Sequence, residues 1–235
     1  MDVDHLVYAG PDLEAATARV EEHLGVRSTP GGPHPGRGTR NALIALGPSS
    51  YLEIIGPDLE QPPPALPRPF GIDGLRDSKL VTWAAQEPDL AGRVRSAAAN
   101  GVTLGALAEG SRRRPDGLLL QWNYTDPRTV IADGLAPFFI NWGATPHPST
   151  SLGIALSNVE GHPAASAAPR LRSGRAELPS KGGGVALAGL RAEHPDPDRI
   201  RDIFSGLGLM MDVSRGPAPS LIATIDGPRG RVELR

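Results

Sequence analysis

The sequence predicts an α+β fold of tandem βαβββ modules whose strands form a cupped, mostly antiparallel half-barrel sheet with the helices outside. Three observations predict it. Short apolar strand-like segments and amphipathic helical stretches recur in one order, β-α-β-β, along the 235 residues. Two stretches rich in Pro, Gly and Ser separate the recurrences. A βαβββ unit carries one helix and one apolar sheet face, so it cannot enclose a cavity alone, whereas two units side by side curve around a hollow.

The first strand is read at residues 3–9, followed by a helix from Asp12 to Leu24 with Leu13, Ala16, Val20 and Leu24 on one face. Asp12 is the expected N-cap and Gly25 the stop. Strands follow near 41–46 and 50–55 around the turn Gly47-Pro48-Ser49, with room for another near 26–29. The second block has a strand at 80–85, a helix at 88–100, and strands at 102–107, 117–125 and 137–142. The third has a strand at 185–190, a helix at 196–207, and strands at 221–225 and 231–234. The chain therefore divides into a first module, 1–57; a Pro-rich linker, 58–78; a second module, 79–143; a linker, 144–184; and a third βαβββ-like module, 185–235. Leu152–Leu156 alternates and offers an added strand in the second linker, and Gly182-Gly183-Gly184 offers flexibility.

Composition removes several function classes. With 24 Lys plus Arg against 26 Asp plus Glu, and no basic stripe or aromatic platform, nucleic acid is not an expected partner. The absence of cysteine excludes thiolate nucleophiles and Cys-ligated metal. No apolar run approaches the roughly 18–20 residues of a membrane span, and residues 1–5 do not read as a signal peptide, so a cytoplasmic protein off the membrane is expected. No serine elbow, Walker A loop or His-Glu-x-x-His motif is present, and Gly36-x-Gly38-x-x-Asn41 lacks the third glycine of a dinucleotide loop.

Strand periodicity singles out two polar residues. His5 shares a face with Val3 and Val7, while Asp4, Leu6 and Tyr8 take the other; Glu53 lies between Tyr51 and Ile55, with Leu52 and Ile54 opposite. A carboxylate and an imidazole on apolar strands of one module need partners, because burying a charge unpaired costs several kcal/mol or more. Either they hydrogen-bond to each other or to an arginine, or they are N and O ligands of a divalent metal such as Zn, Fe, Mn, Ni or Co.

The segments Asp4-His5-Leu6-Val7-Tyr8, His34-Pro35-Gly36-Arg37-Gly38-Thr39-Arg40-Asn41-Ala42-Leu43, Tyr51-Leu52-Glu53-Ile54-Ile55 and Pro137–Trp142 followed by His147-Pro148 together resemble the glyoxalase-like branch of the vicinal oxygen chelate superfamily. The resemblance spans roughly residues 2–150. It implies paired βαβββ modules around a metal or ligand site, with ligands from the first and last strands of a module, which selects His5 and Glu53. It also implies a metal acting as Lewis acid on vicinal oxygens, with Glu53 as base or ligand.

The second module departs from that pattern: its first strand offers Leu80, Val81, Thr82 and Trp83, and its last strand the neutral Asn141. In the third, alignment of the helices by Gly25 and Gly208 makes Ala188 the counterpart of His5, and Glu233 shares a face with Arg231 and Arg235, as in a solvated ion-pair face. If the loop at 33–41 arches over the cup, His34 is a third ligand or acid/base, while Thr39, Arg40 and Asn41 bind substrate, Arg40 by clamping an anion. Asn141 and His147 are further candidates for substrate contact. The tryptophans, Phe138 and Phe139 read as sheet core, and His23 and His194 as surface. Three functions stand open: a metal-dependent lyase, isomerase or ring-cleaving dioxygenase acting on a small oxygenated molecule; a metal-free protein that sequesters a small molecule; or an interaction module forming a homodimer through exposed sheet edges of the third unit.

Overall fold

The computed structural model describes residues 2–113, 117–152 and 184–235. Its elements are β1 (Val3–Ala9), α1 (Leu13–Leu24), β2 (Thr29–His34), β3 (Thr39–Ala45), β4 (Tyr51–Pro57), β5 (Lys79–Gln86), α2 (Leu90–Ala99), β6 (Leu107–Arg113), β7 (Leu119–Thr125), β8 (Phe138–Asn141), α3 (Ser149–Leu152), β9 (Ala186–His194), α4 (Pro197–Gly206), β10 (Asp212–Arg215), β11 (Ser220–Gly227) and β12 (Gly230–Leu234). The three longer helices begin in the same way: the carboxylates of Asp12, Asp89 and Asp196 accept from the backbone N–H groups of Ala15, Gly92 and Arg199. Gly25 ends α1 at φ 72°, its N–H donating to Glu21 O, a conformation glycine adopts without Cβ strain.

Eight strands form one sheet in the order β2-β3-β4-β1-β5-β8-β7-β6. Within each half, the first strand pairs parallel with the last, β1 with β4 and β5 with β8, and the halves join by antiparallel pairing of β1 with β5. All other pairings in this sheet are antiparallel. The first and second modules thus share one sheet. The sheet curls until its ends approach: Arg112 on β6 donates to Asn41 on β3, and Arg37 in the β2–β3 turn donates to the Tyr124 hydroxyl on β7. The result is an α+β fold with a nearly closed, barrel-shaped sheet.

The third unit has the order β-α-β-β-β, but its strands pair differently. Its sheet runs β10-β9-β11-β12, so β9 lies between β10 and β11 and does not touch the last strand. No second cup forms there. Instead, one buried cluster joins Leu6 and Leu52 of the large sheet, Val20 of α1, and Ile200, Phe204, Leu221 and Ile225 of the third unit. The Leu80 N–H donates to Arg235 O at 2.9 Å. The third unit therefore covers the convex apolar face and supplies the core behind the cup.

Several boundaries differ from sequence expectation. The strand expected near 26–29 is β2 at Thr29–His34, where prolines are tolerated because β2 is an edge strand. The other edge strand, expected at 102–107, is β6 at Leu107–Arg113. The short β10 was not anticipated from the sequence. Leu152 ends the short helix α3 and packs with Leu43 and Tyr51, while the rest of the strand expected at 152–156, and Gly182-Gly183, lie outside the described residues. Among the described residues, no helix is long and apolar enough to cross a membrane.

Candidate functional site

The concave face of the large sheet holds a pocket with about 100 Å³ of enclosed space, lined among others by His5, His34, Asn41, Glu53, Arg37 and Arg112. The alternation of β1 and β4 builds its floor. Leu6, Tyr8, Leu52 and Ile54 turn to the convex core, while His5, Tyr51 and Glu53 turn into the hollow.

Asp4 breaks the alternation. On β1, Val3 pairs with Ala85 and His5 with the adjacent Ala84, so Asp4 is the extra residue of a β-bulge. The bulge brings the Asp4 carboxylate beside His5 instead of onto the opposite face, and the carboxylate is fully buried. It accepts from His5 Nδ1 at 2.7 Å, from Trp142 Nε1 at 2.9 Å and from His147 Nε2 at 3.2 Å. Burial alone would raise its pKa, but the hydrogen bonds from His147 and His5 outweigh burial and hold the carboxyl well below the usual range. With its Nδ1 proton committed to Asp4, His5 presents the Nε2 lone pair to the pocket. The ring is fixed further by stacking on Tyr51 at 4.7 Å and by the edge of Phe138 at 5.4 Å.

His5 Nε2 faces Glu53 Oε2 across 3.9 Å, too far for a direct hydrogen bond. The other oxygen, Oε1, accepts from Asn41 Nδ2 at 2.5 Å, and Asn41 Oδ1 accepts from Arg112 Nη1 at 2.8 Å. Asn41 Nδ2 also lies 3.3 Å from His34 Nε2, and His34 Nδ1 lies 3.0 Å from Thr39 Oγ1. This network assigns the His34 proton to Nδ1, where it donates to Thr39, leaving Nε2 as an acceptor 3.7 Å from Glu53 Oε1. Two imidazole lone pairs and one carboxylate thus converge on the same part of the pocket.

Burial lowers the His34 pKa from 6.5 to about 4, with Glu53 pulling the other way and Arg112 and Arg37 adding to the decrease. The folded value lies below the unfolded one, so the unfolded chain binds more protons between them. Stability is therefore expected to fall as pH drops from about 6.5 to about 4, by roughly 3 kcal/mol from this group. Nitrogen-15 NMR of chelator-treated protein checks the cause: His34 should remain neutral, protonated on Nδ1, at pH 5. An imidazolium signal from His34 at pH 6 would refute the assignment.

The structure gathers some of the sequence-expected residues and separates others. His5, His34, Asn41 and Glu53 line the pocket. Thr39 is buried behind His34 and reaches the pocket only through it. His147 likewise acts at one remove, through Asp4, its Nδ1 accepting from the Ser149 N–H. Arg40 faces away, toward Asp58 and Glu60 at 4.0 and 3.5 Å; neighbouring strand residues point to opposite faces, and Asn41 takes the inward position. Asn141 also lies outside: its amide donates to Pro88 O and its carbonyl accepts from the Gly143 N–H.

The guanidinium groups that do reach the pocket are Arg37 and Arg112, which sequence reasoning missed. Arg112 comes from the far edge of the sheet, and no local signal announces it. Asp4 did carry a signal, as an acid adjacent to His5 on a strand. Phe138, Trp122 and Trp142 line the pocket, whereas Trp83 and Phe139 are core as expected. His194 is buried, not surface, and donates to Asp133 at 3.0 Å. Glu233 pairs with Arg191 and Arg235 in the exposed ion-pair face expected of it.

A family model described as a glyoxalase-like domain matches residues 3–208, and the chain belongs to that family. No curated protein matches the chain. Among solved structures, a hypothetical protein from Staphylococcus aureus is similar at a TM-score of 0.58 and 11% identity, over 94% of this chain and 90% of that one. A Streptomyces coelicolor methylmalonyl-CoA epimerase in complex with 2-nitronate-propionyl-CoA gives a TM-score of 0.42 and 18% identity, over 63% of this chain and 99% of that one. The Mycobacterium tuberculosis methylmalonyl-CoA epimerase gives 0.38 and 23%, over 59% and 85%.

Proposed function

We propose that this glyoxalase-like chain is a metal-dependent lyase or isomerase that moves a proton on a small anionic, oxygen-rich molecule bound in the cup. The observation that carries the reading is the Asp4–His5 hydrogen bond, which turns the His5 Nε2 lone pair toward Glu53 Oε2 across 3.9 Å. Two bonds of about 2.1 Å to one ion span up to about 4.2 Å, so the gap suits a divalent cation better than it suits a hydrogen bond. A carboxylate behind a ligating imidazole is the usual orienting arrangement. Among the described residues, no group of three or more His, Cys, Asp or Glu is assembled as a complete metal site. His5 and Glu53 would hold the ion, with His34 Nε2 as the nearest further donor and substrate oxygens completing the shell. A cation there would supply Lewis-acid polarisation of a substrate oxygen.

The chain's own groups account for the rest. Arg37 and Arg112 outnumber the Glu53 carboxylate in the pocket wall, which favours an anionic substrate. Asn41 holds one oxygen of Glu53, so the carboxylate keeps a fixed direction when it ligates or accepts a proton. His34, neutral at pH 7 and resistant to protonation, offers Nε2 as a lone-pair donor or hydrogen-bond acceptor.

Titration calorimetry with Mn²⁺ and Zn²⁺ tests the proposal. One site per chain is expected, weakened about 10–100-fold by Asp4→Asn, and more by His5→Ala or Glu53→Gln. Equal affinity in wild type and all three variants would sink it. A second reading, a metal-free protein that sequesters its ligand, is favoured by the Asn41 bond that already satisfies Glu53 Oε1 and by the second module. The last strand of that module faces the hollow with Phe138 and Ile140, and its first strand sets Ala84 opposite His5. That reading predicts ligand stabilisation unaffected by chelator and without turnover.

A further inference from the structure

A second cavity, open to solvent on one side, lies beside the first and shares Phe70, Pro127 and Phe138 with it as a common wall. Its own lining sets apolar side chains, including Val81 of β5, Val130 and Leu135 of the loop before β8, and Leu221 of β11, beside the polar Lys79, Thr82 and Thr129. The third unit thus contributes to this cavity, although it contributes nothing to the first. The carboxylate of Asp133 in its wall is already engaged by Arg199 and His194. Phe138 lies between the two spaces: its ring packs edge to face with His5 at a centroid distance of 5.4 Å and lies 6.2 Å, centroid to centroid, from Phe70.

Backbone strain marks the same place. Among the described residues, the non-glycine residues with positive φ are Phe70 at 61°, Ala132 at 50° and Asp133 at 56°. Phe70 and Asp133 line the second cavity, and Ala132 precedes Asp133 in the chain. A bulky side chain in that region costs on the order of 1–3 kcal/mol, and such strain persists where the surrounding structure and the function hold it.

We infer that the second cavity is an apolar-arm subsite: the substrate is an amphiphile whose anionic head lies by Arg112, Arg37 and His5 and whose hydrocarbon arm passes the Phe70–Phe138 pair into the space lined by Val81, Val130 and Leu221. This rests on the proposed anionic-substrate reading of the first pocket and names the class of molecule it takes. An apolar arm gains affinity for every methylene it buries, whereas a head bound alone gains nothing from chain length.

The test uses straight-chain alkanoates from acetate to decanoate as probes, titrated into the full chain. Affinity is expected to rise about two- to fourfold per methylene until the cavity is filled. Val81→Trp, which occupies the cavity, and Val130→Asp, a substitution at an exposed position in its wall, should each flatten that rise. Val130→Asp keeps the test meaningful if the tryptophan variant does not fold. Arg112→Ala should weaken all lengths by a common factor. Binding that is independent of length, or a length dependence unchanged in both cavity variants, overturns the subsite and leaves the first pocket's reading intact. No binding at any length overturns both.

Discussion

Asp4→Ala is expected to destabilise the folded chain by about 3–5 kcal/mol, the range seen when one partner of a buried charged cluster is removed. Three N–H donors, on His5, His147 and Trp142, lose their acceptor at once, in a site that the fold closes to water. A chain of this length should show the loss as a fall in Tm of roughly 10 °C. The metal or ligand site should suffer beyond the loss of stability, because His5 would no longer be held in the tautomer that presents Nε2 to Glu53. Asp4→Asn separates the two effects. The amide fills the same space but can accept through one oxygen only, so a donor now faces a donor and about half of the destabilisation should remain. Chemical denaturation measures both variants, and an Asp4→Ala chain within 1 kcal/mol of wild type, an order-of-magnitude threshold for a surface change, would show that the buried carboxylate is not the organising group. Because its folded pKa is depressed, this contribution is present above the ordinary value of 3.8 and is lost as pH falls below it.

Gly31→Ala is expected to disable the site while leaving most of the fold in place. Gly31 is the unpaired residue between Pro30 and Gly32 in β2, and a Cβ there would stand 2.0 Å from Asn41 Oδ1 and 2.9 Å from Arg112 Nη1. Both are ends of side chains, so the clash is relieved by moving Asn41, and that movement breaks the Arg112–Asn41–Glu53 relay. A fall in metal or ligand affinity of about 10–100-fold is expected, as for loss of a group that orients a ligand, with a stability cost of only about 1–3 kcal/mol. Asn41→Ala should reproduce the affinity loss without the clash. If Gly31→Ala binds as wild type does, the relay has no part in holding Glu53.

The same features show how far the sequence could be read. The apolar alternation of residues 3–9 and 51–55 assigns each side chain to a face by local geometry alone, so His5 and Glu53 could be selected without coordinates. The Asp caps and Gly25 mark helix ends for an equally local reason. Arg40 and Asn141 point away from the pocket; a loop reading of 33–41 leaves the face of Arg40 undefined, and only the start of β3 at Thr39 gives the inward place to Asn41. The third unit was legible as an order of elements but not as a pairing. Whether a first strand joins the last or the second is decided by what the assembled sheet packs against.

By itself, the sequence determined the α+β class, the repeated order of elements, and the two polar residues set into apolar strands, because a period of two and a helical cap are properties of neighbouring residues. Only the tertiary structure decided that a bulge carries Asp4 to the back of His5, that Arg112 and not Arg40 reaches the pocket, and that the third unit walls a second cavity. Those outcomes depend on one extra residue in a ladder and on the curling of a sheet until its edges meet. Both arise between segments far apart in the chain, and no window of sequence contains them.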